Sequence, residues 1–424
     1  MITLLLQSGF SSEIMSQRQL SIFMILMGVA LVWTANGLCF TLVALRMSSE
    51  QFATYEIGIV TTGYFIGQII GAGFLGNVIS KVGHIRAFAA LASTVSAGVI
   101  CYALYVDIFV WFLIRVLHGI CIAGLLLVVE SWLNAIVSNN YRGQLISIYV
   151  VTQSIAFSLG QQLLQVASPG EFILFALASM LFSVALLPLV LSSSVSVEIT
   201  TPRALNLSQL FQLSPFGVVG SLVSGALSAI LIGLMPVYLS KSGFSVSEIA
   251  IFMSCIFAGG LIIQYPIGKA SDIFDRRTVF LVAMFIGGLL CGLSILLAPM
   301  SFYLFIGLTM IYSGIVFAIY PLSIAHVNDF LEAEQLVPAS AGLILMMALG
   351  AALGPIITSF VMELIGEQGL LITCGCICIL TGGFVGFRIL ARKVLPRHQQ
   401  GPYQVVPKTT PASVVLDPRA SDRN

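Results

Sequence analysis

The chain predicts an all-α membrane protein, with twelve transmembrane helices in two pseudo-symmetric six-helix bundles. Three observations carry that prediction. First, 58% of the 424 residues are apolar and only 8% are charged, a composition that cannot cover a globule of this size with water-soluble surface. Second, the apolar residues fall into segments of bilayer length, roughly 20 residues for about 30 Å of hydrocarbon. Third, the stretch Glu56 to Gly76 returns at Glu248 to Gly268, 192 residues later, with Glu56/Glu248, Ile57/Ile249, Ile59/Ile251, Phe65/Phe257, Gly67/Gly259, Ile70/Ile262 and Gly76/Gly268 identical. That many identities at one offset mark a duplicated bundle.

The first bundle is expected over residues 20–193, with spans near 20–45, 54–79, 85–106, 107–133, 143–168 and 170–193. The most polar interior stretch, 194–212, contains Glu198, Pro202 and Arg203 and reads as a cytoplasmic linker. The second bundle is expected over 213–391, with spans near 213–241, 246–271, 277–298, 301–328, 336–362 and 367–391. Residues 1–19 read as a cytoplasmic N-terminal segment. Its first fourteen residues lack the basic region and small-residue cleavage site of a signal peptide, and Met15 is an alternative start. Residues 392–424 are polar, with five prolines between Pro396 and Pro418, and read as a disordered cytoplasmic tail.

Orientation follows from the basic residues, because Lys and Arg are retained on the cytoplasmic side of short loops. With Arg18 inside, the same face receives Lys81, Arg86, Arg142, Arg203, Lys269, Arg276, Arg277 and the seven basic residues of the tail. Arg46 and Lys241 fall outside, and Arg115 lies within a span. Both termini are therefore expected in the cytoplasm.

Composition also narrows the chemistry. Cys374, Cys376 and Cys378 occupy every second position of a helix and point in different directions, with no nearby His or fourth Cys. They read as packing groups rather than a metal site, as do the other five cysteines. The glycines of the second and seventh spans, such as Gly63, Gly67, Gly71, Gly217 and Gly220, read as close-packing positions. None belongs to a phosphate-cradling loop, since no Lys-Ser or Lys-Thr ending follows them. No cofactor and no nucleic-acid partner is expected. Uphill movement of a solute would have to draw on an ion gradient.

A charge near the bilayer centre is costly unless paired or wetted, so buried polar groups are the candidates for function. Arg115 stands about eight residues into the fourth span, with His118 one turn on and Glu130 four turns further. At about 100° per residue, Glu130 lies about 60° round from Arg115 and His118 about 60° the other way. The shared face is expected to look into a cavity. Two readings of the group stay open: Arg115 binds an anionic group or governs a proton on Glu130 or His118, or the residues hold backbone and helix ends together.

The loop after the second span, Gly76-Asn-Val-Ile-Ser-Lys-Val-Gly-His-Ile-Arg86, resembles the G-x-x-x-D-[RK]-x-G-[RK]-[RK] signature of the major facilitator superfamily. Gly268-Lys-Ala-Ser-Asp-Ile-Phe-Asp-Arg-Arg277 has the same form after the eighth, and Arg115-x-x-x-Gly119 is similar to that superfamily's fourth-helix motif. Glu130-Ser131, Asn139, Arg142-Gly143 and Gly160-Gln161, in that order, resemble its bacterial YcaD-like branch, a resemblance that implies a multi-pass protein of the bacterial cytoplasmic (inner) membrane. The resemblance implies the superfamily's fold of two six-helix halves, secondary transport by alternating access, and loops that steady one conformation through Gly76, Lys81, Gly83, Arg86, Gly268, Asp272, Arg276 and Arg277. Ser80 departs from the signature's Asp and Asp275 from its Gly, so the charge latch is expected only in part, with Asp272 pairing with Arg276. The fifth span lacks the Gly-Pro pair of drug and proton antiporters, whereas Gly350-x-x-x-Gly354-Pro355 stands in the eleventh.

Mapped onto the cavity-lining helices of that superfamily, Asn36 beside Trp33, Gln68, Gln153, Gln264, Tyr265, Tyr312, Tyr320 and His326 give a wall of amides and aromatics suited to a polar organic solute. The expectation is a monomeric secondary transporter of a small organic solute, coupled to protons. The alternatives are a transporter-like sensor or assembly factor without flux, and a membrane hydrolase, for which His118 and His326 lack an evident nucleophilic partner.

Overall fold

The computed structural model describes residues 12–137, 141–191, 207–331 and 333–391. Most of the expected linker, the tail and the first eleven residues lie outside them. Twelve helices are long and apolar enough to cross a membrane. In the first half these are α1 (Gln19–Ser49), α2 (Thr54–Val82), α3 (His84–Leu104), α4 (Ile108–Ile136), α5 (Gly143–Val166) and α6 (Phe172–Leu191). In the second they are α7 (Pro215–Lys241), α8 (Val246–Ile273), α9 (Arg276–Leu297), α10 (Phe302–Asn328), α11 (Pro338–Ile365) and α12 (Gly369–Leu390). The end where α1 begins and α12 finishes is termed proximal, the opposite end distal.

Helix starts are written in side chains. Asp107 accepts from Val110 N at 2.9 Å, Ser214 from Gly217 N at 3.1 Å and Ser301 from Leu304 N at 3.4 Å, each satisfying an otherwise orphaned N–H. At α8, Ser245 and Glu248 form a reciprocal capping box. Prolines interrupt two spans. Helix α6 breaks after Val184, ahead of Pro188, and α7 after Gly233, ahead of Pro236, where the missing N–H and the ring end the regular ladder.

The duplicated sequence produces duplicated packing. Helix α1 lies on α5 as α7 lies on α11, α2 on α4 as α8 on α10, and α3 on α6 as α9 on α12. The repeated pair Gly67/Gly259 sits at equivalent crossings: a Cβ on Gly67 would stand 2.0 Å from Val116 O, and one on Gly259 2.4 Å from Met310 O. Backbone contact at these points accounts for the identity, since lipid offers helices no hydrophobic drive and close van der Waals approach must supply the attraction.

The halves meet along α2–α11 and α5–α8. Thr62 Oγ1 donates to Ala352 O at 2.8 Å, and Thr54 N to Glu363 Oε2 at 2.9 Å. On the other seam Gln162 Nε2 donates to Ser254 Oγ at 2.6 Å, and Ser254 Oγ to Ser158 O at 3.1 Å. All these residues lie towards the distal end. Followed to the proximal end, the same stripes are exposed, with Gln144, Ser147 and Val151 on α5 and Tyr265, Lys269 and Asp272 on α8. Along α5–α8 the halves touch distally and leave their facing stripes exposed proximally.

Candidate functional site

Arg115 is 1% exposed. Its Nη2 donates to Phe40 O at 3.2 Å, and its guanidinium carbon lies 4.7 Å from the Phe40 ring centre and 5.9 Å from that of Tyr102. Nε and Nη1 have no acceptor. The charge is thus held by one carbonyl and two aromatic faces, a cation–π arrangement that is strengthened by desolvation. His118 packs edge-on to Tyr64 at 5.5 Å and to Phe182 at 5.6 Å, with Nδ1 3.9 Å from Cys39 Sγ.

These contacts correct the expectation of a cavity-facing stripe. The surroundings described for Arg115 and His118 come from α1, α2, α3 and α6, all in their own half, so both residues sit inside the first bundle. Tyr64, which the sequence reading passed over, is the centre of the group. Its hydroxyl accepts from Asn36 Nδ2 and from Gln68 Nε2, each at 3.4 Å, and its ring meets Phe40 at 4.9 Å. The available signal was spacing, since Tyr64 precedes Gln68 by one helical turn.

Glu130 lies apart from this cluster, 3% exposed. It accepts a hydrogen bond from Tyr149 of α5 at 3.1 Å, so a buried carboxyl joins α4 to the helix that forms one of the two seams. Tyr149 also went unmarked in the sequence, where nothing distinguishes it from a packing aromatic.

Near the middle of the α5–α8 seam, Trp33, Phe157 and Phe257 make an aromatic row. Trp33 and Phe157 are 6.0 Å apart, Phe157 and Phe257 4.2 Å, and Phe257 reaches Phe317 of α10 at 5.8 Å. The repeat partners Phe65 and Phe257 are therefore not in equivalent roles, because only Phe257 reaches across to the other half through a described ring contact. Gln153 is one turn proximal to Phe157, half-buried, and its Nε2 has no partner.

In the second half the candidates disperse. Gln264 is half-buried, whereas Tyr265 turns about 100° away from it and is 70% exposed, so the two do not form one wall. Tyr312 packs towards α9, near Gly287. Tyr320 is fully buried in a small core with Val218, Ile324, Leu336 and Leu343. His326 is held between Phe216 at 4.6 Å and Phe330 at 5.0 Å. The expected single wall of amides and aromatics is thus several separate groups.

The signature loops differ for a physical reason. Gly83 joins α2 to α3 with φ 92°, a backbone that a side chain would strain. Asp275, at the matching position, has φ −58° and caps α9, accepting from Arg277 N at 3.1 Å. No glycine is required there. Arg276 forms a buried pair with Asp329 at the end of α10, 2.9 Å apart and 1% and 2% exposed, and Arg277 pairs with Asp275 at 3.3 Å. Asp329 at the end of α10, which the signature does not include, is thus an acid bound to Arg276. Gly76 and Gly268 are buried, while Lys81 and Arg86 are exposed. Cys374 and Cys378 are buried and Cys376 exposed.

Comparison with known proteins places this arrangement. The model of the Major Facilitator Superfamily matches residues 19–214 and 217–419. The chain is 27% identical over 386 residues to the uncharacterized MFS-type transporter YcaD of Escherichia fergusonii, covering 90% of this chain and 97% of the relative. In fold it is similar to a variant of the nucleoside transporter NupG, with TM-score 0.73 and 15% identity over 87% of this chain and 99% of the other. It is also similar to a bacterial homolog of the human lysosomal transporter Spinster in an inward-facing, unoccupied conformation, with TM-score 0.68 and 13% identity over 98% and 99% of the two chains. With twelve apolar helices in two matching halves and a family match across both, the chain belongs to the Major Facilitator Superfamily and is a multi-pass membrane transporter rather than an enzyme.

Proposed function

We propose that the protein is a secondary active transporter that moves a small polar organic solute by alternating access, coupled to protons. The observation that carries this reading is the asymmetry of the seam: two six-helix halves bonded through α2–α11 and α5–α8 distally, with the α5 and α8 stripes exposed proximally. Such halves rock about a central site and expose it to each side in turn. The likeness to a homolog solved inward-facing supports assigning the proximal end to the cytoplasm, as does the distribution of basic residues. The segments 1–19, 194–212 and 392–424 are then cytoplasmic, and the protein works as a monomer in the bacterial inner membrane.

Glu130 is the proton carrier in this reading. A protonated carboxyl loses its charge and half of its acceptor capacity, which changes the link to Tyr149 and hence to α5, nine residues before Ser158 on the same helix. Arg115, close to the Asn36–Tyr64–Gln68 network and two turns or more from the aromatic row, sets the electrostatics of the first half, and Gln153 and Gln264 face the solute. The name of the NupG neighbour makes nucleosides one class to include in a ligand panel.

The test is a thermal-shift screen of purified protein against metabolites, followed by counterflow of each hit in vesicles. A ligand present at 100 times its dissociation constant adds about 2.7 kcal/mol to the folded state, enough to reveal it. Counterflow of a hit is expected, with uphill uptake collapsed by an uncoupler and lost in Glu130→Gln while counterflow survives. Uptake by Glu130→Gln that still responds to the proton gradient would remove Glu130 from the coupling step, and binding without counterflow would favour a sensor.

A further inference from the structure

The repeat that creates the two halves also exposes a missing part. Helices α2 and α8 begin at equivalent positions, Ala53 matching Ser245 and Glu56 matching Glu248 at the 192-residue offset. At α8 the cap is complete within its own chain segment: Ser245 Oγ accepts from Glu248 N, and Glu248 Oε2 accepts from Ser245 N at 2.8 Å. At α2 only half survives. Glu56 Oε2 accepts from Ala53 N at 2.8 Å, but Ala53 has no side-chain acceptor to offer in return.

A different N–H of this first turn, that of Thr54, finds its acceptor in the other half. Glu363 of α11 takes the Thr54 N–H at 2.9 Å, and Lys241 at the end of α7 donates to Thr54 Oγ1. Tyr55 stacks on Phe360 one turn away, 5.6 Å between ring centres at 15°. Three groups of the second half thus close on the first two residues of α2. Lys241 is also one of the two basic residues that break the inside bias. The other, Arg46, pairs with Glu50 at 2.6 Å and donates to Gly170 O within its own half.

We infer that Glu363 and Lys241 form a distal clasp that completes the α2 cap only while the halves are closed at that end, making the start of α2 a state-dependent latch. Ser245 caps the third N–H of α8, on Glu248; at α2 the third N–H, on Glu56, turns back to Ala53 O at 3.0 Å, and it is the first, on Thr54, that contact between the halves satisfies. Opening distally leaves Thr54 N to water and releases the Lys241 bond, so the clasp holds the distally closed state against its alternative. The inference rests on the alternating-access reading, and its test needs neither substrate nor protons.

Spin labels at Val106→Cys and Met300→Cys, exposed loop positions in different halves and outside the clasp, report the distal gap in full-length protein whose eight native cysteines have been replaced. Glu363→Ala is expected to raise the ratio of long to short distances by about three-fold or more, the size a lost hydrogen bond to a charged group implies. Lys241→Met is expected to act in the same direction. Adding Ala53→Ser to Glu363→Ala supplies the local cap on the third N–H seen in α8 without the contact between halves, and is expected to leave the long distances in place. If Ala53→Ser restores the short distance, or if Glu363→Ala leaves the ratio of the parent protein unchanged, the latch is refuted. A single fixed distance in every variant would instead overturn the rocking motion itself.

Discussion

Two buried arginines show how differently one side chain can be accommodated. Arg276 has a carboxylate, Asp329, at 2.9 Å, and removing one member of such a pair leaves an uncompensated charge. Asp329→Asn is therefore expected to lower stability by about 3 kcal/mol or more, read as a fall in Tm, while Lys269→Gln on the exposed stripe stays within about 0.5 kcal/mol. An equal, small effect of both would remove the pair from the structural account. Arg115 has no described carboxylate partner and two nitrogens without acceptors. Replacing an ill-satisfied buried charge by an apolar group of similar length is often neutral or stabilising. Arg115→Met is expected to keep or raise Tm and to abolish transport, the signature of a residue retained for function. A large drop in Tm would instead make it a structural residue. Arg115, Glu130 and His118 stood out in the sequence because charge in a span is rare. Their neighbours Tyr64 and Tyr149, and Asp329 beside Arg276, did not, because an aromatic in an apolar helix, or an acid at a helix end, is ordinary until its neighbour across the bundle is known.

At the scale of the helix, small residues and caps decide the geometry. A Cβ on Gly119 would stand 1.9 Å from Tyr64 O, and one on Gly67 2.0 Å from Val116 O, so the α2–α4 crossing has no room for a methyl group on either side. Gly67→Ala is expected to push the helices apart, disturb Tyr64 and cost about 1–3 kcal/mol by overpacking. Gly73→Ala, whose Cβ meets nothing within 4 Å, is expected to have no such penalty and to recover helix propensity. Matched Tm values for the two would show that the crossing tolerates separation. The spans themselves were readable because apolar length and positive punctuation are properties of the chain alone. The breaks in α6 and α7 follow from Pro188 and Pro236, both visible in the sequence, yet α8, α10 and α11 carry Pro266, Pro321 and Pro355 without ending. Whether a proline breaks or is absorbed depends on neighbouring helices that re-satisfy the freed carbonyl, and those are not in the local sequence.

For the whole molecule, the repeat foretold two matching halves but not how they lean on each other, since a symmetric sequence is compatible with either end closed. What distinguishes the ends is a set of contacts between segments about 90 to 300 residues apart, such as Ser158 with Ser254 and Thr62 with Ala352. These give a direct test of rocking. Ser158 and Ser254 face each other across α5–α8, with Ser254 Oγ 3.1 Å from Ser158 O. Cysteines at both positions, oxidised in a background without native cysteines, are expected to lock the distal end. In vesicles, solute counterflow should then stop on oxidation and return on reduction, with each single cysteine variant unaffected. Full cross-linking with undiminished counterflow would mean that the path does not require this seam to part. The lock also separates motion from binding: a locked molecule with its proximal end open is expected to keep its ligand-induced thermal shift while losing flux, because alternating access needs both states and binding needs one.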